Sequence, residues 1–124
     1  MIERTGRTVL VVDDSEANID ILVEILGDRY EVSVALDGES ALGIVEEDPP
    51  NLILLDIMIP GMVGYEVCRR IKSDDNTRNI PIVFVSAEDQ IDQGAAGPDI
   101  DVVNYLTKPV DPDLVHDIVR KLLS

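Results

Sequence analysis

The chain alternates short apolar runs with longer amphipathic stretches. Four apolar runs, at residues 9–12, 52–55, 82–85 and 102–106, have the length of buried strands. The longer stretches carry apolar residues three and four positions apart, as in helices that pack one face against a sheet. Strands that alternate with helices of this length predict an α/β fold with a parallel sheet and right-handed crossovers.

Turn and helix-capping residues divide the chain into five strand-then-helix units. The third strand is uniformly apolar, so we expect it to be central and Asp56, at its end, to be presented rather than buried. Either Asp14 or Ser15 can cap the first helix. We predict strands over residues 8–13, 31–35, 52–56, 82–86 and 102–106, and helices over residues 15–26 and 39–47, from the loop at 60–64 to residue 72, and from 111–113 onwards.

The fourth helix and the chain ends are less regular. Gly94, Gly97 and Pro98 fall where the fourth helix belongs. A proline within a helix costs about 3 kcal/mol relative to alanine, so we predict a short or mobile fourth helix. Residues 1–124 fit one domain, with residues 1–7 as a frayed tail.

Each apolar run is followed by a polar or charged residue. In a parallel sheet wrapped by helices, the carboxyl ends of the central strands converge on one crevice. Three carboxylates, one hydroxyl and one ammonium are therefore expected to meet there. The side chains concerned are those of Asp13, Asp14, Asp56, Ser86 and Lys108.

Three carboxylates at such short range repel one another and raise each other's pKa unless a cation neutralises them. A hard divalent ion resolves the conflict, and Mg²⁺ fits best because it is commonly held by one or two carboxylates, several waters and a phosphate oxygen. Lys108 can pair with Asp56 at rest and with an added phosphoryl group later. Pro109 restricts Lys108 to extended backbone geometry, and the sequence leaves a cis or a trans bond open.

Composition narrows the partners. The formal net charge is −15, which argues against direct binding to nucleic acid or to an anionic membrane and favours a basic partner surface. No stretch approaches the ~18 apolar residues of a membrane span. The single cysteine, Cys68, excludes an intramolecular disulfide and, with no apolar signal segment, points to the cytoplasm.

Four motifs in order resemble the receiver domains of two-component response regulators over residues 8–123. The resemblance implies a flavodoxin-like doubly wound sheet of five parallel strands in the order 2-1-3-4-5. One departure is that Asp101 and Val102 stand where receivers usually carry a Gly-Ala pair, which predicts a remodelled output surface. The matching motifs are Val-Val-Asp13-Asp14, Leu-Leu-Asp56-Ile-Met-Ile-Pro60-Gly61, Val-Ser86-Ala87 and Tyr105-Leu-Thr-Lys108-Pro109.

The same resemblance implies a signalling phosphoacceptor that assists its own phosphorylation and dephosphorylation, without being an enzyme with a separate substrate. Asp56 would take a phosphoryl group from a phosphohistidine on a histidine kinase or phosphotransfer protein, and a downstream effector, not identifiable from the sequence, would respond. Asp13 and Asp14 would hold Mg²⁺ together with the backbone carbonyl of Met58. Ser86 and Lys108 would contact phosphoryl oxygens, and Tyr105 would turn inward when Ser86 moves.

Three other functions remain open at this point. A magnesium-dependent phosphatase would also form an aspartyl phosphate, although such enzymes typically place a second acid two residues after the nucleophile, where this chain has Met58. A flavin or nucleotide carrier would need a glycine-rich phosphate loop, which the sequence lacks. A protein-binding module on the same fold would work without phosphorylation.

Overall fold

The computed structural model describes residues 6–87 and 104–123. Within these residues the chain forms seven strands and four helices. The strands are β1 (Thr8–Val12), β2 (Glu31–Ala35), β3 (Leu52–Leu55), β4 (Met58–Ile59), β5 (Met62–Val63), β6 (Ile82–Ser86) and β7 (Asn104–Thr107). The helices are α1 (Glu16–Leu26), α2 (Gly38–Glu47), α3 (Gly64–Lys72) and α4 (Pro112–Leu123).

Five of the strands form one parallel sheet in the order β2-β1-β3-β6-β7. The short strands β4 and β5 pair only with each other, as an antiparallel hairpin. With the hairpin set aside, the order is the predicted 2-1-3-4-5, and the flavodoxin-like α/β fold is confirmed. The carboxyl ends of β1, β3, β6 and β7 consequently lie side by side at one edge of the sheet.

The helices begin where the sequence offers a capping side chain. Ser15 caps α1, and its hydroxyl accepts a hydrogen bond from the backbone N–H of Asn18 at 3.4 Å. Asp37 caps α2 in the same way through Ser40. At α4 the carboxylate of Asp111 accepts from the N–H of Asp113 at 2.9 Å. These contacts satisfy backbone donors that the first turn of a helix leaves unpaired.

Alternate residues of the buried strands point to opposite faces of the sheet, which gives two apolar layers. Phe84 of β6 is the largest fully buried side chain, and its ring contacts those of Tyr65 and Tyr105 at centroid distances of 4.8 and 5.5 Å. One layer packs Leu10, Val12, Ile53, Leu55 and Phe84 under α2 and α3, and the other packs Val9, Val11, Leu52, Leu54 and Val83 under α1 and α4.

The hairpin is the element that the sequence did not predict. β4 and β5 are joined by Pro60 and Gly61, and Gly61 has φ +79°, a left-handed conformation that favours glycine. The irregular stretch with Gly94 and Pro98, and the predicted start of the last strand at Val102, lie outside the described residues. No helix in the described part of the chain combines the length and apolar character needed to cross a bilayer.

The thiol of Cys68 in α3 provides a test of the packing. It is fully buried, and burial raises its pKa to about 11, although the charges of Lys72 and Arg69 act in the opposite direction. Because the thiolate is the reactive form, alkylation in mildly alkaline buffer should be roughly 100-fold slower in the native protein than in urea. Mass spectrometry against time measures both rates, and complete native labelling at the rate found in urea would contradict this packing.

Candidate functional site

The carboxyl edge of the sheet brings the predicted polar side chains together. Asp13 and Asp14 follow β1 and Asp56 follows β3, and one carboxylate oxygen from each lies within 4.8 Å of the others. Ser86 is the last residue of β6, and Lys108 directly follows β7. The parallel order of the strands is therefore what assembles the cluster, since Asp13 and Asp14, Asp56, Ser86 and Lys108 follow or end four different strands.

Lys108 joins two of the acids. Its ammonium lies 2.8 Å from Oδ2 of Asp13 and 2.9 Å from Oδ2 of Asp56. The side chains of Asp13 and Asp56 are only 2% and 6% exposed, while that of Lys108 is 19% exposed. The Lys108-Pro109 peptide bond is cis. Such short contacts between nearly buried groups make this a charge-assisted pair rather than a loose surface contact.

Both carboxylate oxygens of Asp56 have donors. Oδ1 accepts from the Ser86 hydroxyl at 2.6 Å and from the backbone N–H of Met58 at 3.2 Å, and Oδ2 accepts from Lys108. The Ser86 hydroxyl oxygen accepts in turn from the backbone N–H of Ile57 at 2.8 Å. Ser86 thus links the backbone of Ile57 to the carboxylate of Asp56.

The expectation that Asp56 would be presented rather than buried is wrong. The residue is only 5% exposed, although it ends a strand. The backbone after Asp56 turns back through the β4–β5 hairpin, and the N–H of Gly64 donates to the carbonyl of Ile57. Burial of a carboxylate is tolerated here because donors from Ser86, Met58 and Lys108 replace the water it has lost.

The environment raises the pKa of both Asp13 and Lys108, which disfavours the charged form of the acid and favours the charged form of the lysine. Burial raises the pKa of Asp13 and the neighbouring Asp56 adds to this, although Lys108 and the N–H of Ser15 oppose it. Burial alone would lower the pKa of Lys108, but its hydrogen bonds and attraction to Asp13 and Asp56 outweigh this and raise it. The site therefore holds the ammonium firmly but carries more negative charge than one ammonium can neutralise.

The donor set fits a hard divalent cation. Three carboxylates face one ammonium, so a second cation relieves the remaining repulsion. Asp14 is exposed and gives the pocket an open side towards solvent. Carboxylate, carbonyl and water oxygens are the ligands that Mg²⁺ takes. Asp13, Asp14 and Asp56 are the described side chains that could hold it.

Tyr105 lies in β7 opposite Phe84 of β6, half-buried, with the two rings stacked at 5.5 Å. The structure thus places Tyr105 in β7, the strand that pairs with the strand of Ser86. Sequence reasoning missed the backbone N–H of Ile57, which donates to Ser86. A backbone donor leaves no signal in the residue type, so only the path of the chain could show it.

The parallel sheet and the acid–lysine pocket at its carboxyl edge are the fold and site of a receiver domain. The chain belongs to the response regulator receiver domain family, whose model matches residues 9–120.

Known relatives agree with this assignment. The response regulator PleD of Caulobacter vibrioides is 44% identical over 115 residues, which cover 92% of this chain and 25% of PleD. The phosphate regulon transcriptional regulatory protein PhoB of Pseudomonas aeruginosa is 36% identical over 120 residues, which cover 94% of this chain and 50% of PhoB. The chain therefore spans a quarter to a half of the length of these relatives.

Solved structures show the same architecture. The chemotaxis response regulator CheY4 of Vibrio cholerae superposes with a TM-score of 0.86 at 27% identity, covering 96% of this chain and 100% of that one. The receiver domain of the sensor histidine kinase PA1611 of Pseudomonas aeruginosa superposes with a TM-score of 0.84 at 25% identity, covering 96% and 98%. The latter structure has a magnesium ion coordinated in its active site cleft.

The Lys108 pair makes a prediction for stability. Replacing Lys108 by methionine leaves Asp13 and Asp56 facing each other without a counter-charge, so the free energy of unfolding without metal at neutral pH should fall by about 3 kcal/mol. Mg²⁺ should then stabilise Lys108→Met more than it stabilises the wild type. Urea denaturation followed by circular dichroism, with chelator and with Mg²⁺, measures both effects.

Arg120→Met is the matched control for Lys108→Met. Its ion pair with Asp117 has side chains 66% and 65% exposed, so its loss should change the free energy of unfolding by less than about 1 kcal/mol. Equal stability of Lys108→Met and wild type in chelator would contradict the structural role of the buried pair.

The stability that Lys108 contributes should also depend on pH. Because its pKa is raised in the folded protein, its contribution to the free energy of unfolding should be lost as pH rises through that pKa.

Proposed function

We propose that this receiver domain accepts a phosphoryl group on Asp56 from a phosphohistidine of a histidine kinase or phosphotransfer protein, with Mg²⁺ as cofactor. The observation that carries the proposal is the position of the Asp56 carboxylate, in one pocket with Asp13, Asp14 and the Lys108 ammonium. A bound Mg²⁺ would neutralise charge on the acids and on the phosphoryl oxygens. Asp13, Asp14, Asp56 and the Met58 carbonyl would hold it.

Phosphoryl transfer needs a carboxylate oxygen that can attack phosphorus and cations that neutralise the charge of the reacting groups. An oxygen of Asp56 attacks phosphorus, a P–O bond forms, and the P–N bond to the donor imidazole breaks with its electron pair left on nitrogen. The transition state is loose, so positioning and charge neutralisation contribute more than covalent assistance. Lys108 supplies a cation at Oδ2 of Asp56, and Ser86 supplies a hydroxyl donor at Oδ1.

Phosphorylation would change the partners of these two residues. Ser86 donates to Oδ1 of Asp56, Lys108 donates to Oδ2 of Asp56 and to Asp13, and new phosphoryl oxygens would compete for both donors. Because β6 and β7 are paired, a shift at Ser86 reaches Tyr105 through Phe84, on which Tyr105 stacks. The phosphoryl group would thereby bias an equilibrium of the surface around β7, which is the switch that we propose.

The domain would be a signalling component rather than an enzyme with its own substrate. Relatives such as PleD and PhoB are much longer than the matched region, so their remaining length can hold an output domain. We propose that residues 1–124 form one receiver domain that works in the cytoplasm and controls a downstream effector, either in the same chain or as a separate partner.

Intact mass spectrometry tests the proposal directly. After incubation with Mg²⁺ and acetyl phosphate, the wild-type protein should gain the mass of one phosphoryl group. We expect a single acceptor because Asp56 lies beside the Lys108 ammonium and in the same acidic cluster as Asp13 and Asp14. Asp56→Asn and wild type with chelator should gain none. Asp74→Asn, which removes an exposed acid elsewhere, should label like the wild type.

Two outcomes would contradict the proposed function. Undiminished labelling of Asp56→Asn would place the acceptor elsewhere. Absence of labelling in a folded wild type that binds Mg²⁺ would favour a binding module that works without phosphorylation.

A further inference from the structure

The backbone that follows Asp56 folds back onto itself within a few residues. Met58 pairs with Val63 and Ile59 with Met62 in the β4–β5 hairpin. The N–H of Gly64, the first residue of α3, then donates to the carbonyl of Ile57 at 2.6 Å. Residues 57–64 therefore form a backbone loop, called here the strap, whose last residue is hydrogen-bonded to its first.

The strap closes only because residue 64 lacks a side chain. A Cβ on Gly64 would overlap the carbonyl oxygen of Asp56 and would lie 2.8 Å from the Cα of Ile57. Both neighbours are backbone atoms, so neither can move aside by a rotamer change. Any side chain at this position must push the Asp56–Ile57 peptide or lift the start of α3.

That peptide belongs to the part of the chain that orders the pocket. It joins Asp56, whose carboxylate meets Lys108, to Ile57, whose N–H donates to Ser86. The next N–H, of Met58, donates to Oδ1 of Asp56 at 3.2 Å. A displacement of the peptide would therefore move the carboxylate and its donors together. Val63 makes no side-chain cap for α3, so backbone contacts hold this junction.

We propose that Gly64 is a positioning residue for the candidate site. Its missing side chain lets the strap close against the Asp56–Ile57 peptide and so fixes the Asp56 carboxylate relative to Asp13 and Asp14. The consequence for phosphoryl transfer rests on the proposed function of Asp56. The consequence for cation binding does not, because it follows from the placement of the three carboxylates alone.

The chain offers two further glycines for a graded comparison. Gly38 in α2 contacts the strap at Met62, and a Cβ there would meet Met62 Cβ and Val67 Cγ2 at 3.0 Å, a tight contact that a shift of a few tenths of an ångström relieves. Gly43 lies in the same helix, and a Cβ there would have nothing within 4 Å. The three alanine variants thus impose a backbone clash, a side-chain clash and no clash.

The test measures Mn²⁺ affinity by electron paramagnetic resonance of the free ion, since Mn²⁺ takes the same oxygen ligands as Mg²⁺. Gly64→Ala should bind Mn²⁺ at least about tenfold more weakly than the wild type, the loss typical when support of a metal ligand is disturbed. Gly38→Ala should bind Mn²⁺ about twofold to threefold more weakly than the wild type. This loss is smaller than in Gly64→Ala because the overlap at Gly38 is smaller. Gly43→Ala should bind like the wild type.

Stability is measured separately, and affinities are compared at a temperature where every variant is folded. A merely structural role predicts a lower melting temperature for Gly64→Ala with Mn²⁺ affinity unchanged, and that result would overturn the proposal. If Gly64→Ala does not fold, the Mn²⁺ affinity of Gly38→Ala is the deciding measurement. An affinity equal to that of the wild type would then overturn the proposal as well. Failure of the wild type to accept a phosphoryl group would refute the proposed function. The comparison of cation affinities among the glycine variants would remain valid.

Discussion

The Lys108 ammonium between Asp13 and Asp56 is the interaction on which the rest of the site depends. Without it, two nearly buried carboxylates at the ends of adjacent strands would repel each other with no counter-charge between them. One lysine neutralises only part of the charge of three acids. The same contact therefore keeps the metal-free pocket folded and leaves it with an attraction for a divalent cation.

The sheet makes this contact possible, and the strap refines it. Parallel pairing of β1, β3, β6 and β7 brings residues from positions 13 to 108 to one edge. The strap then supplies two backbone donors, the N–H of Met58 to Asp56 and the N–H of Ile57 to Ser86. Rigid strands thus set the positions of the acids, whereas a short loop sets the orientation of the one carboxylate that we propose as acceptor.

The apolar runs predicted a parallel α/β sheet, and the polar residues after them predicted the residues of the pocket, because both are strong signals. The order of the strands came from the resemblance to receiver domains. The sequence did not predict the burial of Asp56 or the β4–β5 hairpin. Strands of two residues are too short for a period to show, and burial depends on what folds over a residue. The choice between Asp14 and Ser15 as the cap of α1 needed backbone geometry, which selects Ser15. The expectations for Gly94–Pro98, and for Asp101 and Val102, fall outside the described residues.

We infer that the ends of β1 and β3 form a single cation site beside Lys108. An anomalous difference map from crystals soaked in Mn²⁺ tests it most directly. We expect one strong peak in contact with carboxylate oxygens of Asp13, Asp14 and Asp56, with the carbonyl of Met58 among its neighbours. A map with no peak among these acids, or with its strongest peak at another acidic surface, would contradict it.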